Sequence, residues 1–118
     1  MDKLKIALFG FESYASQIQR YREAFVALGH ILSIENPNII YANDPTGYNK
    51  AIELKNKFPK ACLILHFLDI PWHWPNVKKQ TELLVKNCLL KANIIAVNSK
   101  KVEKDLSKFV LNKKIYVT

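Results

Sequence analysis

Cysteine and arginine are scarce in this chain, long apolar runs are missing, and each of these features excludes a class of protein. Cys62 and Cys88 lack the spacing of a metal site or of a paired-cysteine redox motif, so we expect small core residues and no disulfide. No apolar run reaches the length of about 20 residues that crosses a membrane. The first residues lack the apolar segment and small-residue cleavage site of a signal peptide, so the expected location is the cytoplasm.

The positive charge of the chain is concentrated in its second half. Residues 1–75 contain eight Lys or Arg against seven Asp or Glu, whereas residues 76–118 contain ten Lys against three Asp or Glu. Such a half attracts an anionic membrane surface or a phosphate-bearing substrate, and it allows a peripheral position at the inner face of the membrane; solvated helix faces explain the lysines more simply. With only two arginines, and no aromatics interleaved with the lysine cluster, nucleic acid is not an expected partner.

Strand-like and helix-like patterns alternate along the 118 residues, of which 49% are apolar and 24% charged. This balance is typical of one globular domain, here residues 1–118. The alternation predicts an α/β fold with an open, mainly parallel sheet of five or six strands flanked by helices, which is a Rossmann-like architecture. Strands are expected at residues 5–10, 38–43, 61–65, 93–98 and 114–118, and helices at residues 13–28, 45–58, 76–91 and directly after Ser99.

The stretch ACLILHFLDIPWHWP, residues 61–75, is expected to organise the sheet. Its first five residues are apolar on both faces, which is typical of a strand buried between two layers of helix. Its polar and aromatic residues follow where this strand leaves the sheet. Ligands of open α/β sheets bind at the carboxyl ends of the strands, so this stretch predicts one wall of a binding cleft.

Residues 31–35 and 38–43 both have strand patterns but are separated by only Asn36 and Pro37. Two full parallel strands of one sheet need a connection of about a dozen residues or more, so both segments cannot be full strands. We assign the full strand to residues 38–43 and a short edge piece or connection to residues 31–35. If the latter is not a full strand, the first helix can share a face with the others. The opposite apolar face would then need a partner, either a second domain or a second copy of the chain.

Polar residues at the predicted strand ends form the candidate substrate-binding site. Helix N-termini at these ends favour an anion or sugar hydroxyls, and the side chains offer hydrogen-bond donors and acceptors. Helix capping is the alternative for the serines and Asp44. No catalytic residue, metal or cofactor is assigned. The candidate residues are Gly10, Ser13, Asn43, Asp44, His66, Asp69 and Ser99.

His66 and Asp69 do not cap an expected helix, so the capping alternative does not apply to them. His66 can be a core histidine with satisfied hydrogen bonds. A metal site with Asp69 and His73 is a further alternative, but its spacing matches no familiar ligand set and Trp72 favours a packed loop. The turn at residues 10–13 reads GFES rather than G-x-G-x-x-G, and no P-loop or G-x-S-x-G motif is present.

Six segments in order resemble the N-terminal domain of the retaining GT-B glycosyltransferases of family four. They are KIALFG, ALGHILSIE, NPNIIYANDP, ACLILHFLDIPW, ANIIAVNSKKVEKDL and KIYVT, and together they cover almost the whole chain. The most specific are Ala27–His30, Asn43–Pro45 and Ala92–Leu106. The turn at residues 10–13 departs from the paired-glycine loop of the family. Where the family has His-Asp after the central strand, this chain has Leu68-Asp69, and His66 lies two residues before Leu68.

The resemblance implies a Rossmann-like acceptor domain from a two-domain enzyme. A C-terminal donor domain, which lies outside this chain, would hold the nucleotide-sugar and the family's paired glutamates. This chain would bind a sugar or lipid-linked acceptor and would be inactive alone. A non-catalytic binding or interaction module with a flavodoxin-like or receiver-like fold is the alternative hypothesis; a receiver would need an acidic pocket, and a flavin binder a Ser/Thr-rich loop, after the first strand.

Overall fold

Strands and helices alternate along the described residues, apart from one pair of consecutive strands. The computed structural model describes residues 3–9, 15–43, 45–67, 79–108 and 113–118. Within these ranges, each helix connects two strands of one sheet. The elements are β1 (Lys5–Phe9), α1 (Ala15–Ala27), β2 (Ile31–Leu32), β3 (Ile39–Ala42), α2 (Pro45–Lys57), β4 (Cys62–Phe67), α3 (Lys79–Lys91), β5 (Ile94–Val97), α4 (Lys100–Ser107) and β6 (Ile115–Val117).

The six strands form one sheet in the order β2-β1-β3-β4-β5-β6, and every neighbouring pair is parallel. The predicted open parallel α/β fold is therefore confirmed, with the higher of the two expected strand counts. The chain leaves β1 towards β2 on one side and continues from β3 towards β6 on the other. The direction of the connections thus reverses between β1 and β3, which is the point where open sheets of this kind form their crevice.

Helices lie on both faces of the sheet. Tyr21 of α1 packs edge-on against Tyr41 of β3, with ring centroids 5.3 Å apart. Tyr48 of α2 packs against Phe67 of β4, with centroids 5.2 Å apart. Tyr41 is level with Ile64, and Phe67 is three residues farther along β4, so the two tyrosines contact opposite faces. The expectation that α1 can share a face with the other helices is wrong, because a right-handed connection to a strand on the other side of β1 passes over the other face.

The core lies between the sheet and α2, α3 and α4. Leu63, Leu65 and Phe67 of β4 and Ile95 and Val97 of β5 are all fully buried there. Each such side chain contributes about 1.5–3 kcal/mol relative to an exposed one. Helices α3 and α4 close this layer with buried residues of their own: Cys88 and Leu89 from α3, and Val102 and Leu106 from α4.

The other face of the sheet is less well covered. Cys62 and Ile64 of β4, and Ile94 and Ala96 of β5, are only half-buried, although they alternate with fully buried neighbours. The expectation that the 61–65 strand is buried on both faces is therefore wrong for one face. β2 is the one strand on its side of β1, so a single helical connection leads there. Among the described elements one helix, α1, therefore crosses this face, whereas three helices cross the other.

Strand β2 is an edge strand of two residues, as the spacing of the two strand patterns predicts. Lys5 aligns with Ile31 and Ile6 with Leu32, and pairing stops there. The chain then turns, with the Glu35 N–H donating to Ser33 Oγ at 3.0 Å and Asn36 at a φ of 50°. It re-enters the sheet on the other side of β1. A connection this short suffices because β2 advances only two residues along the sheet before the chain returns.

Helix α1 ends in a Schellman motif built around Gly29. The Gly29 N–H donates to the Val26 carbonyl at 2.9 Å, and the His30 N–H donates to the Phe25 carbonyl at 2.9 Å. Gly29 has a φ of 86°, which is the left-handed conformation this motif requires. The rings of Phe25 and His30 pack with centroids 6.2 Å apart and provide the usual apolar contact across the motif. His30 Nδ1 also accepts from the Leu4 N–H, which fixes β1 to the end of the helix.

We expect Gly29→Ala to lower the free energy of unfolding by about 1–2 kcal/mol, because an L-residue is strained at this φ. A Cβ at Gly29 meets nothing within 4 Å, so the cost comes from the backbone alone. Urea denaturation followed by circular dichroism measures it. Gly29→Asn is the matched control and should cost clearly less, since asparagine tolerates the left-handed conformation. Equal losses for both variants would contradict the backbone explanation.

Candidate functional site

The carboxyl edge of the sheet brings Asn43 and His66 together. Ala42 of β3 aligns with Leu65 of β4, so one step farther along the same register Asn43 lies beside His66. The Asn43 N–H donates to the Phe9 carbonyl at 3.3 Å, which extends the β1–β3 ladder past the end of β3. Both side chains therefore lie where β1, β3 and β4 end, next to the point where the connections reverse direction. Asn43 and His66, which were predicted as site residues from separate segments of the sequence, therefore lie together.

His66 lies inside β4 and is 6% exposed, rather than in the loop after the strand as its sequence position suggests. The Tyr41 hydroxyl is 2.6 Å from His66 Nδ1, and the two rings pack with centroids 5.9 Å apart. Burial, together with the hydrogen-bonding neighbour Tyr21, raises the pKa of Tyr41, so its hydroxyl keeps its proton. A protonated phenol can donate to Nδ1 or accept from it, so Nε2 carries the proton in one imidazole tautomer and is an acceptor in the other.

Burial lowers the pKa of His66 from its ordinary value of 6.5. The imidazole is therefore neutral at neutral pH and cannot serve as a cation for a phosphate or a carboxylate. What it offers is one hydrogen-bonding nitrogen, Nε2, which is a donor or an acceptor according to the tautomer. Within the described ranges this nitrogen is buried and has no hydrogen-bond partner. A buried polar atom without a partner costs about 1–3 kcal/mol, so the core-histidine alternative explains Nδ1 but not Nε2.

Asn43 is 3% exposed, and among the described residues neither its side-chain nitrogen nor its side-chain oxygen has a hydrogen-bond partner. Two other asparagines beside the strands behave differently. Asn38 Oδ1 accepts from the Lys5 N–H at 2.9 Å, and Asn93 Oδ1 accepts from the Leu63 N–H at 2.8 Å. Asn38 and Asn93 thus stabilise the amino-terminal edge of the sheet. Asn43, at the opposite edge, has its polar atoms buried and unused, as expected of a ligand-binding group.

Ser99 lies on the same edge, at the end of β5, but its hydroxyl has a structural role. It accepts from the Val102 N–H at 3.2 Å, and its extended backbone makes it the N-cap of α4. The capping alternative therefore accounts for this residue. Capping at Ser99 also points the amino terminus of α4 towards the carboxyl edge, as parallel βα units require.

Four of the predicted site residues, Gly10, Ser13, Asp44 and Asp69, lie outside the described residues, as does His73 of the metal alternative. The described ranges contain no group of three or more His, Cys, Asp and Glu side chains placed to hold a metal ion. Nor does any helix in this part of the chain have the length and apolar character to cross a membrane.

Tyr41 and Tyr21 belong to the site but were not predicted from the sequence. Tyr41 precedes Asn43 by two residues on a strand, so both face the same side, and this alternation could have indicated it. Tyr21 lies in the apolar stripe of α1 and reads as a core residue. Its place beside Tyr41 depends on how α1 crosses the sheet, which no local pattern encodes.

Two open clefts lie away from Asn43 and His66. One, of about 350 Å³, lies at the amino-terminal edge between the 36–38 turn and the 57–61 turn. The other, of about 390 Å³, lies beside β1 where β2 ends, and Arg22 and Glu35 line it. Neither contains an unpartnered buried polar atom, so we place the candidate site by its chemistry rather than by open volume.

Comparisons of this chain with protein-family models, with curated proteins and with solved structures find no match. Neither membership of a family nor an activity follows from them. The resemblance to the glycosyltransferase acceptor domain therefore rests on the six sequence segments alone.

We expect the stability of the protein to fall as the pH decreases below about 6.5, the ordinary histidine pKa. The pKa of His66 is lowered in the folded state, so below this pH the unfolded chain binds the proton more readily and is favoured. Thermal denaturation over a window from roughly one pH unit above that pKa to one unit below it measures the effect. His66→Asn keeps an acceptor for the Tyr41 hydroxyl but does not titrate, so its melting temperature should fall less steeply. Parallel curves for the two proteins would rule out a depressed pKa at this residue.

Asn43→Leu should raise the free energy of unfolding by about 1–3 kcal/mol, because it removes two buried polar atoms that lose water on folding and gain no partner. Asn93→Leu is the matched control. It should lower the free energy of unfolding by about 1 kcal/mol, since the Leu63 N–H loses its acceptor. Urea denaturation of both variants compares the same substitution at opposite edges. A loss of stability in Asn43→Leu would mean that this amide is hydrogen-bonded in the folded protein.

Proposed function

We propose that the chain binds the hydroxyl groups of a sugar at its carboxyl edge and serves as the acceptor-side domain of a sugar transferase. The observation that carries the proposal is a pair of buried polar groups at the reversal point of the sheet, His66 Nε2 and the Asn43 amide, which have no partner among the described residues. Buried polar groups of this kind are normally hydrogen-bonded, and a ligand would satisfy them.

The chemistry of the two groups favours an uncharged ligand. His66 is neutral and offers one nitrogen that donates or accepts according to the tautomer, and Asn43 offers two donors and an acceptor. A sugar hydroxyl both donates and accepts, so adjacent hydroxyls can pair with the imidazole and the amide at once. An anionic group would gain no charge from His66. The Tyr41 hydrogen bond orients the imidazole before a ligand arrives, which reduces the entropy lost on binding.

The order of the six family-like segments is the support for a transferase rather than a simple sugar-binding protein. In this proposal a second domain supplies the nucleotide-sugar and the reacting groups, and His66 and Asn43 position the acceptor. No residue of this chain acts as a nucleophile or general base. The ten lysines of residues 76–118 suit a lipid- or phosphate-linked acceptor, and they would hold the protein near an anionic membrane surface in the cytoplasm.

A non-catalytic flavodoxin-like or receiver-like module is the second candidate, and the strand order favours it. The order β2-β1-β3-β4-β5 is that of flavodoxin-like sheets, which bind flavin at the switch between β1 and β3. The phosphate loop of such a protein would lie at residues 10–14, outside the described part of the chain. Those residues read GFESY, in which Ser13 is the single serine or threonine, so a flavin phosphate would find few hydroxyl donors.

Nuclear magnetic resonance titration of the 118-residue chain with separate probes tests the proposal. We expect glucose or N-acetylglucosamine to shift the Asn43 side-chain amide and the His66 imidazole resonances, because both groups lack partners among the described residues of the free protein. Inorganic phosphate should not shift them, and flavin mononucleotide would shift them only if the second candidate holds.

Asn43→Leu should abolish the sugar-induced shifts at His66, whereas Asn93→Leu, at the opposite edge, should retain them. Shifts that persist in Asn43→Leu would place the sugar elsewhere. The absence of a response to every sugar, together with a response to flavin mononucleotide, would replace the proposal by the flavodoxin-like alternative.

A further inference from the structure

The row of side chains that begins with Asn43 and His66 continues across the sheet. His66 aligns with Ala96 of β5, and Ala96 aligns with Tyr116 of β6. Aligned residues of neighbouring strands point to the same face, so Ala96 and Tyr116 lie on the same face as His66, which is the face that carries α1. The row therefore crosses four neighbouring strands, close to the carboxyl end of each.

The part of this face formed by β5 and β6 is open. Among the described elements, α1 packs mainly on β1 and β2 and reaches β3 at Tyr41. Ala96 is half-buried, and Tyr116 is 46% exposed. Ile95 and Val97, which point to the other face, are fully buried. The described elements thus leave Ala96 and Tyr116 accessible to a ligand.

Ala96 separates two larger side chains. Neighbouring strands are about 4.8 Å apart, so the backbones at His66 and Tyr116 are separated by roughly 10 Å. Side chains stand roughly perpendicular to a sheet, and the alanine between these two rings has only a methyl group. The imidazole and the phenol therefore stand on either side of a gap. The buried polar atoms of His66 and Asn43 that lack partners among the described residues lie on one side of this gap.

The position of Tyr116 is fixed along β6. On its carboxyl side, Val117 aligns with Val97, and the Thr118 N–H donates to the Val97 carbonyl at 2.8 Å. On its amino side, the Lys114 ammonium lies 4.9 Å from the centre of the tyrosine ring. Lys114 is two residues earlier on the same strand, so this contact runs along β6 and not across to β5. The ring is thus held at the edge of the gap over Ala96.

The two sides of the gap offer the two kinds of contact that a sugar makes. A sugar ring has hydroxyls at its edge and C–H groups on its faces. The hydroxyls pair with groups such as His66 Nε2 and the Asn43 amide, whereas polarised C–H groups pack against the negative face of an aromatic ring. Ligand sites commonly combine aromatic surface with a few placed polar groups in this way.

We propose that Tyr116 forms the second side of the sugar-binding site and packs against the face of the sugar whose hydroxyls bind His66 and Asn43. The sugar then lies in the gap over Ala96. This inference rests on the proposed function, because it takes the ligand of His66 and Asn43 to be a sugar. It makes Tyr116 a specificity-determining residue that favours pyranoses with equatorial hydroxyls, since their faces consist of C–H groups.

Nuclear magnetic resonance titration of the full chain with N-acetylglucosamine tests the proposal. We expect the sugar to shift the Tyr116 ring resonances together with the Asn43 amide, and we expect the ring current of Tyr116 to shift the C–H protons of the sugar. Tyr116→Thr should abolish this ring-current shift and weaken binding roughly three- to tenfold, whereas Tyr116→Phe should retain both. Ile31→Thr is the matched control, because Ile31 is 45% exposed on the edge strand at the other end of the sheet.

A second variant tests the gap itself. Ala96→Ile fills the space between His66 and Tyr116 with a side chain that suits a strand, and it should weaken sugar binding at least about tenfold. Ala96→Ser adds little volume and should bind as the unchanged protein does. Circular dichroism should show that both variants remain folded.

The outcomes separate this inference from the proposed function. The inference would be overturned if the sugar shifts Asn43 and His66 but not the Tyr116 ring, or if Tyr116→Thr or Ale96-filled protein, Ala96→Ile, binds as tightly as the unchanged protein. The proposed function would survive those results. The absence of any response at Asn43 and His66 would instead contradict the proposed function, and this inference with it.

Discussion

The parallel direction of all six strands is the constraint on which the rest of this structure depends. Each connection must carry the chain back to the amino-terminal edge, and right-handed connections then decide which face each helix crosses. Three connections lead away from β3 in one direction and place α2, α3 and α4 on one face. The one connection from β1 to β2 leads the other way and places α1 on the opposite face.

This unequal distribution of helices has consequences for the candidate site. The face under α2, α3 and α4 fully buries Leu63, Leu65 and Ile95, whereas the face under α1 keeps Cys62, Ile64 and Ile94 half-buried. The same face carries Tyr41 and His66, close enough to the surface for a ligand yet buried enough to keep the imidazole neutral. On a fully covered face, such polar groups would be hydrogen-bonded to the protein or replaced by apolar ones. On a fully exposed face, water would hydrogen-bond to them.

Asn43 and His66 are costly residues for a sheet to bury. Between them they place three side-chain atoms out of water without a partner among the described residues. Each such atom costs on the order of 1–3 kcal/mol, which is a large share of the about 5–15 kcal/mol that stabilises a domain. A leucine and a phenylalanine would serve packing better at these positions. Function is the simplest reason for a stable fold to retain polar groups there.

The sequence predicts the elements well, because each depends on local chemistry. The apolar run before His66, the serine at the start of α4 and the glycine after α1 are signals that act within a few residues, and the strand, cap and Schellman motif follow from them. The short β2 also follows, since chain length alone forbids a second full strand between Gly29 and residues 38–43. These expectations required no knowledge of which strands are neighbours.

What the sequence does not predict depends on register and on the path of helices across the sheet. The pairing of Tyr41 with His66 requires β3 and β4 to align Ala42 with Leu65, and a shift of one residue would turn one of the two side chains to the opposite face. The sequence also does not predict that β4 is fully buried on one face only, because the apolar run 61–65 is the same whether one or two layers of helix cover it. The partial exposure of that face depends on how the helices are distributed over the sheet and not on the residues of the strand.

Charge and topology together suggest how the two ends of the molecule divide their roles. Nine of the ten lysines of residues 76–118 belong to α3, to α4 or to the segment between α4 and β6, towards one end of the sheet, and residues 24–34, which contain no Lys, Arg, Asp or Glu, lie at the other. In the proposed function the basic end would approach an anionic surface, while the carboxyl edge of the sheet holds the ligand. Such a division is consistent only with a sheet whose apolar and basic edges lie at opposite ends, and the strand order β2-β1-β3-β4-β5-β6 produces that separation.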